Sequence, residues 1–191
     1  MTLATLYAVS HTTGTATTPN NALGAPNGTY TADGNSTNNW TSRWRLGTVA
    51  GTWESIGTHS VTLRMRKGSN SGTPTVTSVS LYQNDILIGA LTLSTGSTSI
   101  TSTTSQDLVY TFAGSLLTGI GTVGIEVVTS SVGGSPSTRN GAELDAITWA
   151  LEYQAAATIV SGAGASAGIG AATATSEATK AAVGASDGTS A

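Results

Sequence analysis

The chain has 191 residues, no cysteine, seven basic and ten acidic side chains, and a formal net charge of −3. This excludes disulfides, thiolate metal sites and cysteine nucleophiles, and it gives no global attraction to nucleic acid or anionic membrane. Charged residues are 9% of the sequence, against about 25% in ordinary soluble domains; threonine, serine and glycine replace them, which suits strand surfaces and surfaces covered in an assembly.

The opening MTLATLYAVSHTTG has no basic n-region and alternates apolar with small polar residues, so a strand is expected here rather than a signal peptide. No apolar run reaches the about 18 residues that a spanning helix needs. Next comes NALGAPNGTYTADGNSTNNW, residues 21–40, with the glycine, proline and asparagine density of a built loop. Gly24 and Gly28 provide turns, Pro26 fixes its own φ, and Asn27 tolerates the left-handed region. Asp33, Asn35 and Asn38 resemble the start of a calcium loop, but an EF-hand wants Gly at Asn38 and Glu at Trp44. The choices are a looser calcium site or a turn whose Asn and Asp bond their own backbone. Sequons begin at Asn27, Asn35 and Asn39, as expected by chance in an Asn- and Thr-rich segment.

In NNWTSRWRLG, Trp40, Trp44 and Leu46 alternate with Arg43 and Arg45. As a strand this puts the indoles on one face and the guanidiniums on the other. One reading is core tryptophan with a solvated arginine edge. The other is a sugar platform, with indole stacking on a pyranose while Arg and Asn donate to its hydroxyls. Trp53, in GTWESIG between two glycines, is the better candidate for an exposed ring. Arg43, Arg45, Arg64, Arg66 and Lys67 would form a basic strip if their strands pair.

Further along, Val61, Leu63 and Met65 share one strand face while Thr62, Arg64 and Arg66 share the other. Two apolar runs flank Asn84-Asp85, the chemistry of a tight hairpin turn. Leu108, Tyr110 and Phe112 form another face, as do Val123, Ile125 and Val127, and Ile147, Trp149, Leu151 and Tyr153 close the alternating region. About eight strands with turn clusters between them and no amphipathic helix before Gln154 predict an all-β antiparallel sandwich of jelly-roll type. His11 and His59 lack ligand-spaced partners and read as ordinary surface or loop residues.

Residues 1–153 are thus expected to form the β-sandwich domain, and 154–191 an Ala/Gly/Ser/Thr-rich tail. That tail cannot bury enough apolar area alone to offset its ordering entropy, so it is expected to act as an assembly element held by sister chains or a neighbouring protein. It contains two G-x-S-x-G matches, at Ser166 and Ser186, but both histidines precede them and no strand-turn-helix setting is expected. ATIVSGAGASAGIGAATA imitates a dinucleotide-binding opening without the βαβ chain that such a site requires. No catalytic residue, metal site or cofactor is expected, and the chain reads as no enzyme.

NALGAPNGTYT, VTLRMRKGSNSGTPTVTSVSLYQNDILIGAL and AELDAITWALEY together resemble the β-sandwich domains of tailed-bacteriophage virion proteins, across about residues 1 to 153. Such domains occur in head-decoration, collar and fibre proteins and are often followed by Ala/Gly/Ser-rich segments. The resemblance implies a non-enzymatic structural component of a virion. Its partners would be copies of itself, with a homotrimer favoured by closed symmetry, and other virion proteins, but neither nucleic acid nor membrane. The opening loop also resembles discoidin-like carbohydrate-binding sandwiches, which implies the alternative of a module or adhesin for host-surface glycans. There the Ala-Leu pair is followed by aspartate; here Gly24, Ala25 and Pro26 follow, so no sugar-binding residue carries over.

Overall fold

The computed structural model describes residues 2–31, 39–51, 53–69, 72–118, 121–131 and 141–155. The Asp33–Asn38 loop and the tail from residue 156 lie outside them, as do the two G-x-S-x-G serines. Ten strands form in chain order: β1 (Thr2–Gly14), β2 (Thr41–Leu46), β3 (Trp53–Ser55), β4 (Thr58–Lys67), β5 (Thr75–Gln83), β6 (Ile86–Ala90), β7 (Thr92–Thr95), β8 (Gln106–Ala113), β9 (Val123–Ser130) and β10 (Ala142–Ala155). The only helical pieces among the described residues are two short 3₁₀ turns, Pro19–Ala22 and Gly114–Leu116. Two strands exceed the sequence expectation, β3 and β7. Both are too short for alternation to reveal them.

Every pairing is antiparallel. Sheet A runs β1-β10-β4-β8-β7 and sheet B runs β6-β5-β9-β2-β1. Without the short strands these are the two interleaved four-strand orders of a jelly roll, so the expected class is the observed one. Strand β1 belongs to both sheets. Thr2 to Tyr7 pair with β10, and Ala8 to Gly14 pair with β2 across two register shifts. Bulged strands that change sheets close the corners of a sandwich. At the opposite edge, β6 and β7 follow each other through Leu91, pairing β5 in sheet B and β8 in sheet A.

The alternating faces found in the sequence form the core. Val61, Leu63, Met65, Leu108, Val127, Ile147 and Leu151 are buried, as are Trp44 and Trp149. At the β5–β6 hairpin, Asn84 and Asp85 take φ of 52° and 64°, as a two-residue primed turn demands. Strand β10 extends two residues past the expected domain end at Tyr153.

Candidate functional site

The described first half of the opening loop, residues 21–31, is latched rather than open. Asp145 lies at a register shift of β10, between Leu144 and Ala146. It is buried, and its Oδ1 accepts from the amides of Asn27 (3.2 Å) and Gly28 (3.0 Å). Thr31 and Leu144 exchange two further bonds, and the Gly24 amide donates to the Ala8 carbonyl at 2.8 Å. Gly24 and Gly28 take φ of +81° and +78°, as expected of their turns. Asn27 does not enter the left-handed region; its Oδ1 instead accepts from the Thr29 amide at 2.7 Å, an Asx turn. Sequence reading missed Asp145. The available clue was Leu144 and Ile147, core residues spaced by three where a regular strand spaces them by two.

All three candidate tryptophans are core residues. Trp40, Trp44 and Trp53 are 2%, 0% and 2% exposed. Trp40 Nε1 donates to Ala142 O (2.8 Å) and Trp44 Nε1 to Pro19 O (3.0 Å), and the two rings meet edge to face at 5.9 Å. Trp53 does not present the exposed ring expected of it. Strand β3 pairs the end of β10 and tucks the indole against Trp149 and Tyr153.

The basic strip does not form, because β1 and β10 separate β2 from β4. Arg43, Arg45, Arg64 and Arg66 are each bound to a carboxylate instead. Arg43 lies over the Tyr82 ring at 3.4 Å and donates to Glu126 at 3.0 Å, while Tyr82 Oη donates to the same carboxylate and Arg45 reaches Asp85 at 2.9 Å. Sheet A repeats the arrangement. Arg66 lies over Tyr30 at 3.6 Å and donates to Glu143, and Arg64 lies between Asp107 and Asp145. Arg43 and Arg45 therefore meet the fold's own acids, and stacked guanidiniums cover the rings of Tyr82 and Tyr30.

Neither histidine is an ordinary surface residue. His11 is half-buried, edge-on to Trp44 at 5.4 Å, and burial lowers its pKa. His59 is fully buried, in phase with Val61, Leu63 and Met65 on the apolar face of β4. Its Nδ1 accepts from Trp149 Nε1 at 3.2 Å, and its Nε2 lies 3.1 Å from Ser55 Oγ, 3.1 Å from Ile56 O and 3.0 Å from Glu152 O. Burial again lowers its pKa, opposed by the two carbonyls and the Glu152 charge. Tyr110, buried with no hydroxyl partner among the described residues, is pushed up to about 12 by desolvation. Among the described residues no group of three or more His, Asp or Glu side chains gathers at metal-binding distance.

The fold and its internal latches define an all-β domain of jelly-roll type. No family model and no curated protein matches the chain. Solved structures similar to it include infectious bursal disease virus Gt strain, at 12% identity and a TM-score of 0.40 over 78% of this chain and 32% of that one. The Gx strain of the same virus gives 12% identity and a TM-score of 0.36 over 82% of this chain and 38% of that one. This chain thus spans only about a third of the viral chains. The carbohydrate-binding module CBM36 in complex with calcium and xylotriose gives 16% identity and a TM-score of 0.31, covering 81% of this chain and 100% of the module.

Proposed function

We propose that the chain is a non-enzymatic structural component of a tailed-phage virion, an external accessory protein of the head-decoration, collar or fibre kind. Its sandwich packs on neighbouring copies, and residues 154–191 tie copies to one another or to other virion proteins. The outer face of sheet A is the observation that supports this reading. Register across β1, β10, β4, β8 and β7 sets Thr5, Ala150, Ser60, Thr111 and Thr92 in one row. Tyr7, Thr148, Thr62 and Val109 form the next. Neither row carries a charge, so covering them with a second copy desolvates no ion. Closed symmetry lets identical faces and tails satisfy one another, and three-fold is the stoichiometry proposed.

Light-scattering mass on the full chain, on the chain ending at Ala155 and on Ala150→Arg tests this reading. A stable oligomer that either change dissociates is the expected result. Monomers in all three would overturn self-assembly. Retention of the chain on an immobilised polysaccharide would then move the assignment to a glycan-binding module.

A further inference from the structure

Histidine 59 has a hydrogen-bond arrangement that admits one protonation state. Indole N–H donates and cannot accept, so the 3.2 Å bond from Trp149 Nε1 requires a bare Nδ1. The ring proton must then sit on Nε2, where Ser55 Oγ, Ile56 O and Glu152 O all lie within 3.1 Å as acceptors. A second proton would go to Nδ1 and set two donors face to face inside the core. Either the proton is refused or Trp149 moves.

What would move with it is set by packing. Trp149 lies against Trp53, ring centroids 6.4 Å apart, and Trp53 lies against Tyr153 at 6.3 Å. Strand β3 has three residues and pairs only with β10, through Tyr153↔Ser55, Gln154↔Glu54 and Ala155↔Trp53. It is the shortest strand among the described residues, and it flanks the stretch of β10 that leads into residue 156. His59 reaches both partners at once, touching Ser55 and Ile56 on one side and Trp149 and Glu152 on the other.

We infer that His59 is an acid-sensitive latch: a second proton on its ring breaks the Trp149 bond and releases β3 from the end of β10, while the rest of the sandwich stays folded. The groups facing the imidazole from every packed element are Ser55 and Ile56 of the β3 side, Phe112 of β8, and Trp149 and Glu152 of β10. Of these only Glu152 titrates, and its charge favours the protonated ring; the apolar surroundings oppose it more strongly. Glu54, on β3, is engaged by Gln154 Nε2 at 2.9 Å. Lowered in the fold, the His59 pKa makes the latch complete above about 6.5, the ordinary imidazole value, and weaker as pH falls from there toward the folded-state value.

Hydrogen exchange on the full chain, corrected for intrinsic rate and followed from pH 7.5 to 5, tests the latch. Long-range ¹H–¹⁵N spectra of the imidazoles on the same samples report tautomer and charge directly. The expected result is an Nε2–H tautomer at pH 7.5. Below pH 6.5, protection of residues 53–55 and 153–155, the paired stretches of β3 and β10, then falls about tenfold per pH unit, as uptake of one proton on opening requires. Protection of β5 and β9 holds over the same range. His59→Gln removes the dependence and His11→Asn leaves it. An Nδ1–H tautomer overturns the inference, as does loss of protection in step with the whole sandwich or an unchanged slope in His59→Gln. If that variant does not fold, the wild-type tautomer and the regional pattern of exchange decide the matter alone.

Discussion

Two pairs of tryptophans hold the two ends of this core, and they are secured by different means. At one end Trp40 and Trp44 meet edge to face, and each indole N–H donates to a backbone carbonyl that cannot change its charge. At the other end Trp149 donates to a histidine, and Trp53 Nε1 is buried with no partner among the described residues. Apolar burial is nearly equal, since all four rings are at most 2% exposed. Polar satisfaction is not, and an unmade buried bond costs about 1–3 kcal/mol. The indole bonds of the first end therefore have acceptors that do not titrate. The second depends on the ionisation of one side chain.

The largest effect is expected at the first end. Trp44→Ala should cost about 3–5 kcal/mol, as large-to-small changes at closed core sites do. The residue touches His11 and Trp40 and holds the Pro19–Ala22 turn through Pro19 O, so the site has little freedom to collapse. Urea unfolding with an unchanged m-value measures this. A loss below about 1 kcal/mol would show that the Trp40–Trp44 end is not the rigid one. Next in size is Asp145→Ala, at about 1–3 kcal/mol, because it strands the Asn27 and Gly28 amides and deprives Arg64 of a partner. Hydrogen exchange should rise over residues 24–31 and stay level at β3. Equal loss at both ends would merge the two regions into one cooperative unit.

Much of the core was legible in the sequence because strand period two is a local property. Val61, Leu63 and Met65, and Leu108, Tyr110 and Phe112, declare their faces without any knowledge of their partners. So did the Asn84-Asp85 turn, whose backbone angles these residues tolerate. The partner-dependent features were not legible. Nothing within Thr2–Gly14 shows that β1 changes sheets halfway, since that follows from where β10 and β2 lie. The basic strip failed for the same reason: cations close in sequence were sent to different sheets. Trp53 looked exposed between two glycines because its covering strand, β10, begins almost ninety residues later. His59 was misread as a surface or loop residue although a clue was present. It stands in phase with an apolar face, and a polar residue in that position is a buried one that needs partners.

The acid response comes third in size. Stability should be full above pH 6.5 and fall as the unfolded chain takes up protons that the folded histidines resist. Each unit by which a folded value lies below the ordinary one costs about 1.4 kcal/mol. His11 shifts in the same direction as His59, so urea midpoints of His11→Asn and His59→Gln at pH 7.5 and 5 apportion the effect. The contrast between the two ends requires the larger share to vanish with His59. If it vanishes with His11, the titrating end is the one beside Trp44.

The smallest effect separates the two ends most cleanly. Trp40→Phe and Trp53→Phe remove nearly the same aromatic surface, so their cavity costs should match. Trp40→Phe also leaves the buried Ala142 carbonyl without its 2.8 Å donor, whereas Trp53→Phe removes an N–H that has no partner. Deleting an unsatisfied donor recovers part of its desolvation cost. Trp40→Phe should therefore be the more destabilising by about 1 kcal/mol, read as a difference between two urea midpoints on one background. Equal midpoints would mean that Trp53 Nε1 finds a hydrogen-bond acceptor in solution, and polar satisfaction would then no longer distinguish the ends.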